Sequence, residues 1–233
     1  MPRRSRIAFA GYPHHIVQRG HSRNAVFFSD FDRGDYIATL QQCRDIYALK
    51  IYAYCLMSNH VHLIVDPGAD AQHLSLLMKT LAGRHTRRMN RLLKKSGSFW
   101  EGRFHCSPIE SSRYLLTCGR YVDQNPVRAR VVSKPEDFAW SSYRARAGFD
   151  FCDWLDVDPV LADLATTPER RFQLYRDLAG APCSADELEM IRGALQRNQL
   201  TGSDEFGDAI RRDHGIAVST RSRGRPAKMD ADT

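Results

Sequence analysis

The chain has 233 residues, 42% of them hydrophobic and 10% aromatic, enough for one well-packed core and a small second unit. Its formal net charge is +7 and Arg greatly outnumbers Lys, so a nucleic-acid partner is the first expectation, because guanidinium groups fork onto phosphate oxygens. Six scattered cysteines without a C-x-x-C pair argue against a zinc knuckle or a disulfide framework, and no apolar run approaches bilayer length. The expected setting is the cytoplasm, in association with the nucleoid and without a membrane partner.

Residues 1–12 read as a basic arm bearing Arg3, Arg4 and Arg6. His14-His-Ile-Val-Gln-Arg-Gly20 alternates and ends in glycine, which predicts a first strand. A helix should open at Phe31-Asp32 with Asp30 or Asp32 as its N-cap. Tyr36, Ile37, Leu40, Cys43 and Tyr47 then recur at helical spacing. Residues 51–65 read as two strands joined at Ser58-Asn59, stopped by Asp66-Pro67-Gly68.

Ala71 to about Lys95 predicts a long helix with the apolar stripe Leu74, Leu77, Met78, Leu81, His85, Met89 and Leu92. No acidic residue occurs between Ala71 and Trp100. Ordinary helices mix signs, because opposite charges at i, i+4 support them. This unmixed face is a candidate DNA contact through Arg84, Arg87, Arg88 and Arg91, with a merely solvated basic helix as the plainer alternative.

Arg103–Ile109 predicts a fourth strand, with Pro108 at an edge or end, and Arg103 joins the DNA-binding candidates. Phe99 and Trp100 could stack on unpaired bases, although core packing is the commoner role. The next helix, capped by Ser111 or Ser112, should end at Asn125-Pro126. Tyr114, Cys118, Tyr121 and Asn125 share one face; Leu115, Gly119 and Val122 form the neighbouring one.

The first six elements have the order of an α+β, ferredoxin-like antiparallel sheet with helices on one face. The third helix is then free to cross the other face. Trp140-Ser-Ser-Tyr143 closes this first unit, expected at 1–149. An acid-rich helical extension follows over 150–200, with helices at 151–164, 168–178 and 186–200 and a supporting role. From Thr201 the chain reads as a polar and finally basic tail. There Arg223-Gly-Arg-Pro226 resembles the core of an AT-hook, in which two arginines enter a narrow minor groove.

The chemistry-bearing stretch is Asn59-His60-Val61-His62. On a strand, His60 and His62 project from one face about 7 Å apart and suit one divalent ion. Tyr121 on the third helix is a candidate nucleophile. Asn125, about 6 Å further along that helix, is a candidate third ligand, with Gln124 as the alternative. Water-completed oxygen ligation favours Mg²⁺ or Mn²⁺. Such a set suits phosphodiester transesterification, in which a covalent phosphotyrosine keeps the bond energy for rejoining.

The ordered blocks Tyr54-Cys-Leu-Met-Ser-Asn-His-Val-His-Leu-Ile-Val65, Phe99-Trp-Glu-Gly-Arg-Phe104, Tyr114-Leu-Leu-Thr-Cys-Gly-Arg-Tyr-Val-Asp-Gln-Asn-Pro-Val-Arg-Ala129 and Trp140-Ser-Ser-Tyr143 carry a resemblance. Over about residues 10–145 the sequence resembles the IS200-like single-tyrosine (Y1) transposases of the HUH class, especially the REP-associated tyrosine transposases. The resemblance implies that His60 and His62 bind the metal. It also implies that Tyr121, not Tyr114, carries a 5′-phosphotyrosine, and that the polar residue one turn later completes the metal site. It implies single-stranded, hairpin-bearing DNA from palindromic repeats as substrate, and a monomer or homodimer. The extension after residue 150 departs from the short insertion-sequence enzymes. Two other functions fit the residues: a non-catalytic binder of structured nucleic acid, and a metal-dependent phosphodiesterase.

Overall fold

A computed structural model describes residues 7–216. The predicted arm residues Arg3, Arg4 and Arg6 and the AT-hook-like Arg223 and Arg225 lie outside the described residues.

The chain runs β1 (His14–Arg19), α1 (Asp30–Tyr47), β2 (Lys50–Met57), β3 (His60–Asp66), α2 (Gln72–Leu93), β4 (His105–Pro108) and α3 (Arg113–Asp123). There follow α4 (Asn125–Arg128), α5 (Tyr143–Arg146), α6 (Pro159–Ala162), α7 (Pro168–Gly180), α8 (Ala185–Arg197) and α9 (Asp204–His214). The four strands form one antiparallel sheet in the order β2-β3-β1-β4, so the expected α+β arrangement is present.

Strand alternation gives the sheet two buried faces. Ile16, Leu56, Leu63 and Val65 meet Tyr36 and Leu40 of α1 and Leu74, Leu77 and Leu81 of α2. Val17, Cys55 and Ile64 meet Leu115, Cys118, Tyr121 and Val122 of α3 and Ile191 and Leu195 of α8. The third helix therefore crosses the second face, as expected. Trp100 is core, packed against Tyr36 and His85, rather than presented to a base.

Both sheet edges are covered, which removes open strand edges that would invite pairing with other chains. At β2, Leu56 N–H donates to Trp140 O (2.9 Å) and Ser142 N–H to Tyr54 O (2.9 Å). At β4, Thr201 N–H donates to Pro108 O (2.8 Å) and Glu110 N–H to Thr201 O (2.9 Å).

Several local expectations are corrected. The N-cap of α1 is Ser29, not Asp30 or Asp32: its hydroxyl accepts from Asp32 N–H while the Asp32 carboxylate accepts from Ser29 N–H. The Asn125-Pro126 stop is a kink after which one more helical turn, α4, follows. The helix expected over 151–164 is realised only at α6, because the residue before Pro159 is held extended (Asp158 φ −67°, ψ 146°) and caps the turn that follows. The polar run after Thr201 contains α9, capped by Ser203, with Phe206 and Ile210 packed on Phe9 and Leu200. Gly119 leaves room for the buried Arg146 guanidinium: a Cβ there would stand 2.5 Å from its Nη2.

Candidate active site

β3 turns His60 and His62 toward α3 and Val61 toward α1 and α2. β1 pairs with β3 so that Val17 stands opposite His62 and His15 opposite Ile64. His15 thus shares the His62 face, one diagonal step away. Its Nε2 lies 2.9 Å from His62 Nδ1. The His60 and His62 ring centroids are 5.0 Å apart. The Tyr121 ring meets His15 at 5.6 Å and His62 at 5.8 Å, both edge-to-face. On its other side the Arg128 guanidinium lies 4.0 Å from the Tyr121 ring centroid, a cation–π contact reached because α4 continues past the kink.

His15 and His62 are buried and His60 is half-buried, and this loss of solvent is what pushes their pKa values down. His60 falls to about 4, helped by the Arg19 cation, and His15 to about 3, helped by Arg128. His62 lies well below the ordinary range, with His60 and His15 adding to the desolvation. All three are neutral near pH 7 and offer lone pairs. Asn59 Nδ2 donates to Arg23 O (3.1 Å), which turns Asn59 Oδ1 onto His60 Nδ1 at 2.6 Å. An amide oxygen only accepts, so His60 Nδ1 carries the ring proton and Nε2 the lone pair.

Among the described residues no group of three or more His, Cys, Asp or Glu side chains is arranged to hold a metal ion. The donor set that fits one is mixed: the His60 and His62 imidazoles with the buried Asn125 amide, whose side chain hydrogen-bonds His60. Neutral nitrogens and one amide oxygen suit a divalent cation that keeps water in its remaining positions. Gln124, the alternative third ligand, is engaged elsewhere: its Nε2 donates to Ala179 O of α7.

A cavity of about 350 Å³ opens beside these groups. His62 and Tyr121 form its floor, with Arg19, Arg23, Arg103 and Glu101 on the β1 and β4 side and Arg192 and Gln196 of α8 opposite. A shallower depression shares Arg19 and Arg23 and adds Asn59 and His60.

Tyr121, His60, His62, Asn125 and Arg103 are thus brought to one place. Arg84, Arg87, Arg88 and Arg91 are not, because α2 docks on the opposite face. Arg88 is answered by Asp32 (2.6 Å) and Asp35 (3.7 Å) of α1, and Arg84 donates to Gln42 (2.7 Å). Arg87 and Arg91 make no ion pair among the described residues. His15, Arg19, Arg23, Arg128 and Arg192 escaped the sequence reading. Alternation in His14–Gly20 was the available signal for His15, but only the pairing of β1 with β3 shows which face it joins.

The sequence pattern of the family described as "Transposase IS200 like" matches residues 9–125, just over half of the chain. A REP-associated tyrosine transposase, solved bound to a REP hairpin, is similar in structure. The TM-score is 0.55 at 15% identity, over 69% of this chain and 93% of that one. A candidate transposase from Deinococcus radiodurans R1, solved as a crystal structure, gives a TM-score of 0.35 at 19% identity, over 56% of this chain and 92% of that one. No curated protein matches. The matched stretch contains all four strands, both histidines of the His-Val-His strand and Tyr121, and the chain belongs to the IS200-like Y1 transposase family.

Proposed function

We propose that this transposase cleaves and rejoins single-stranded DNA flanking a hairpin, with Tyr121 as the nucleophile. The observation that carries the reading is the placing of one buried phenol, from α3, against the imidazoles of His62 and His15 at the floor of a cation-lined cavity. The hairpin bound by the structurally similar protein supports a palindromic-repeat substrate.

Attack of the Tyr121 oxygen on phosphorus forms an O–P bond and breaks the bond from phosphorus to O3′. The phenol gives up its proton and the departing O3′ gains one. The products are a 5′-phosphotyrosine and a free 3′-hydroxyl. Attack by a 3′-hydroxyl on the adduct reverses the step and joins strands without ATP. His60, His62 and Asn125 would hold a Mg²⁺ or Mn²⁺ ion, which would supply Lewis-acid polarisation at a phosphoryl oxygen. Arg128 pins the Tyr121 ring by its cation–π contact. Its Nη1, buried without a hydrogen-bond partner, is a donor ready for a phosphate oxygen.

The test is incubation of the protein with labelled hairpin oligonucleotides and Mn²⁺, followed by denaturing gels. The parent forms a covalent band and Tyr121→Phe forms none, while binding oligonucleotide as before. A band that survives in Tyr121→Phe assigns the nucleophile elsewhere. DNA binding without any band, on repeats from the host chromosome, favours the non-catalytic binder. Hydrolysis of small phosphodiesters that persists in Tyr121→Phe favours the phosphodiesterase.

A further inference from the structure

The extension after residue 150 reads from composition as an acidic support. The structure puts part of it into the wall of the active cavity. α8 is fixed at its start by the Glu187–Arg120 ion pair (2.5 Å), one residue before Tyr121. Its Ile191 and Leu195 pack in the same cluster as Tyr121. Beyond its end, Ser107 Oγ of β4 donates to Gln199 O (2.7 Å), and Thr201 bridges to Ile109. The helix therefore spans the site face from α3 to the β4 edge and closes the cavity on the side the sheet leaves open.

The face it turns inward carries Arg192 and Gln196, one helical turn apart, both exposed at the cavity. Arg192 makes no ion pair among the described residues. Burial pushes the Arg128 pKa down and the Arg192 charge adds to this, so two like charges stand near each other at the nucleophile. Four guanidinium groups and one carboxylate line the cavity, an imbalance that a polyanion resolves.

We infer that Arg192 and Gln196 bind the single-stranded segment carrying the scissile phosphate, opposite Arg19 and Arg23, so that α8 is a substrate-binding wall rather than a support. This rests on the proposed reaction for the kind of strand that enters. Arg192 contacts a phosphate and Gln196 hydrogen-bonds the neighbouring backbone or base edge. The strand threads between β1 and α8 and passes over Tyr121.

The experiment uses the full chain in a Tyr121→Phe background, which binds without cutting. Affinity for a hairpin with a fluorescent single-stranded flank is measured against KCl concentration, beside the same hairpin lacking the flank. Arg192→Ala is expected to weaken binding of the flanked hairpin about three- to tenfold and to flatten its log affinity–log salt slope by about 0.7. Binding of the flankless hairpin stays unchanged. Gln196→Ala weakens the flanked hairpin with no change of slope. Arg170→Ala, on the exposed surface of α7, changes neither. Affinity and slope of Arg192→Ala equal to the parent's overturn the inference, as does equal loss on both hairpins. If the tyrosine-bearing parent forms no adduct but Arg192→Ala still shows the flank-specific loss, the α8 wall stands and the transesterase reading falls. A parent that binds no single-stranded DNA overturns both.

Discussion

The two faces of the sheet are both covered by helices but set their polar groups in different surroundings. On the α1 and α2 face Arg88 is paired with Asp32, and His85 Nε2 lies 2.7 Å from Val26 O. The Tyr36 hydroxyl, His85 Nδ1 and Trp100 Nε1 are buried without a partner, enclosed in apolar packing. On the α3 and α8 face, imidazoles meet one another and a phenol. Arg128 keeps a buried donor unpaired, and the cavity holds one carboxylate against four guanidinium groups. A folded chain keeps unanswered donors and like charges together only at a cost, and where they gather beside an open cavity they mark a place for an external ligand.

The second face supports this cavity-side chemistry with a fully enclosed lock. Asp123, two residues after Tyr121, accepts from Ser142 Oγ (3.0 Å) and from the Tyr175 hydroxyl, and lies 3.6 Å from Arg146 Nε. Arg146 also reaches Asp158 (3.2 Å) and donates to Tyr52 O (3.0 Å). The cluster ties α3 to α5, α6, α7 and β2. Arg146→Ala leaves two buried carboxylates without their cation and is expected to cost about 3–5 kcal/mol in urea unfolding. Arg192→Ala, on the same face but exposed, stays within about 0.5 kcal/mol. A small loss for Arg146→Ala would show that α3 is held by its apolar face alone.

Acid separates the residues next. His14, fully buried, accepts from Phe9 N–H through Nε2 (3.1 Å), and burial pushes its pKa from 6.5 down to about 4. Between pH 6.5 and 4 the unfolded chain binds a proton that the folded chain refuses. Stability is therefore full above pH 6.5, falls as pH falls toward 4, and loses this slope below. At about 1.4 kcal/mol per pKa unit the loss from His14 is roughly 3 kcal/mol. His85 is shifted in the same direction by its burial and adds to the fall. Thermal melts in EDTA at pH 7, 6, 5 and 4 should show the decline. His14→Gln, which keeps an acceptor for Phe9, should flatten it; an equally steep decline in that variant would move the cause to other groups.

Much of this fold was legible because its signals are local. Alternation, helical stripes and the Asp66-Pro67-Gly68 stop place the strand and helix order through α3. The same alternation puts His60 and His62 together with Val61 turned away. What escaped depends on pairing across the chain. His15 joins the site only through the β1–β3 register. Arg192 was hidden because the net acidity of 150–208 says nothing about which way one helical face points. The Ser29-Asp-Phe-Asp32 capping box was missed because aspartate stands where Glu or Gln is usual. α9 was missed because Phe206 and Ile210 are a two-residue signal in a polar run. On the basic α2 an acid-free stretch is partly neutralised by a neighbouring helix, as Arg88 is by Asp32, while Arg87 and Arg91 make no ion pair among the described residues.

The finest test of the contrast is His15, which touches His62 but is not among the proposed ligands. For His62 to present a lone pair at Nε2, its proton must sit on Nδ1, and His15 Nε2, 2.9 Å away, is the acceptor that holds it there. His15 Nδ1 is then left buried without a partner, a second unanswered donor on this face. Groups that orient a metal-binding imidazole in this way are worth about 10- to 100-fold in metal affinity. His15→Ala is expected to weaken Mn²⁺ binding, read by titration calorimetry without DNA, by about tenfold. His15→Gln, whose amide oxygen can accept from His62 Nδ1–H, should recover part of that loss. A metal affinity in His15→Ala equal to the parent's would reduce His15 to packing and leave His62 oriented by the sheet alone.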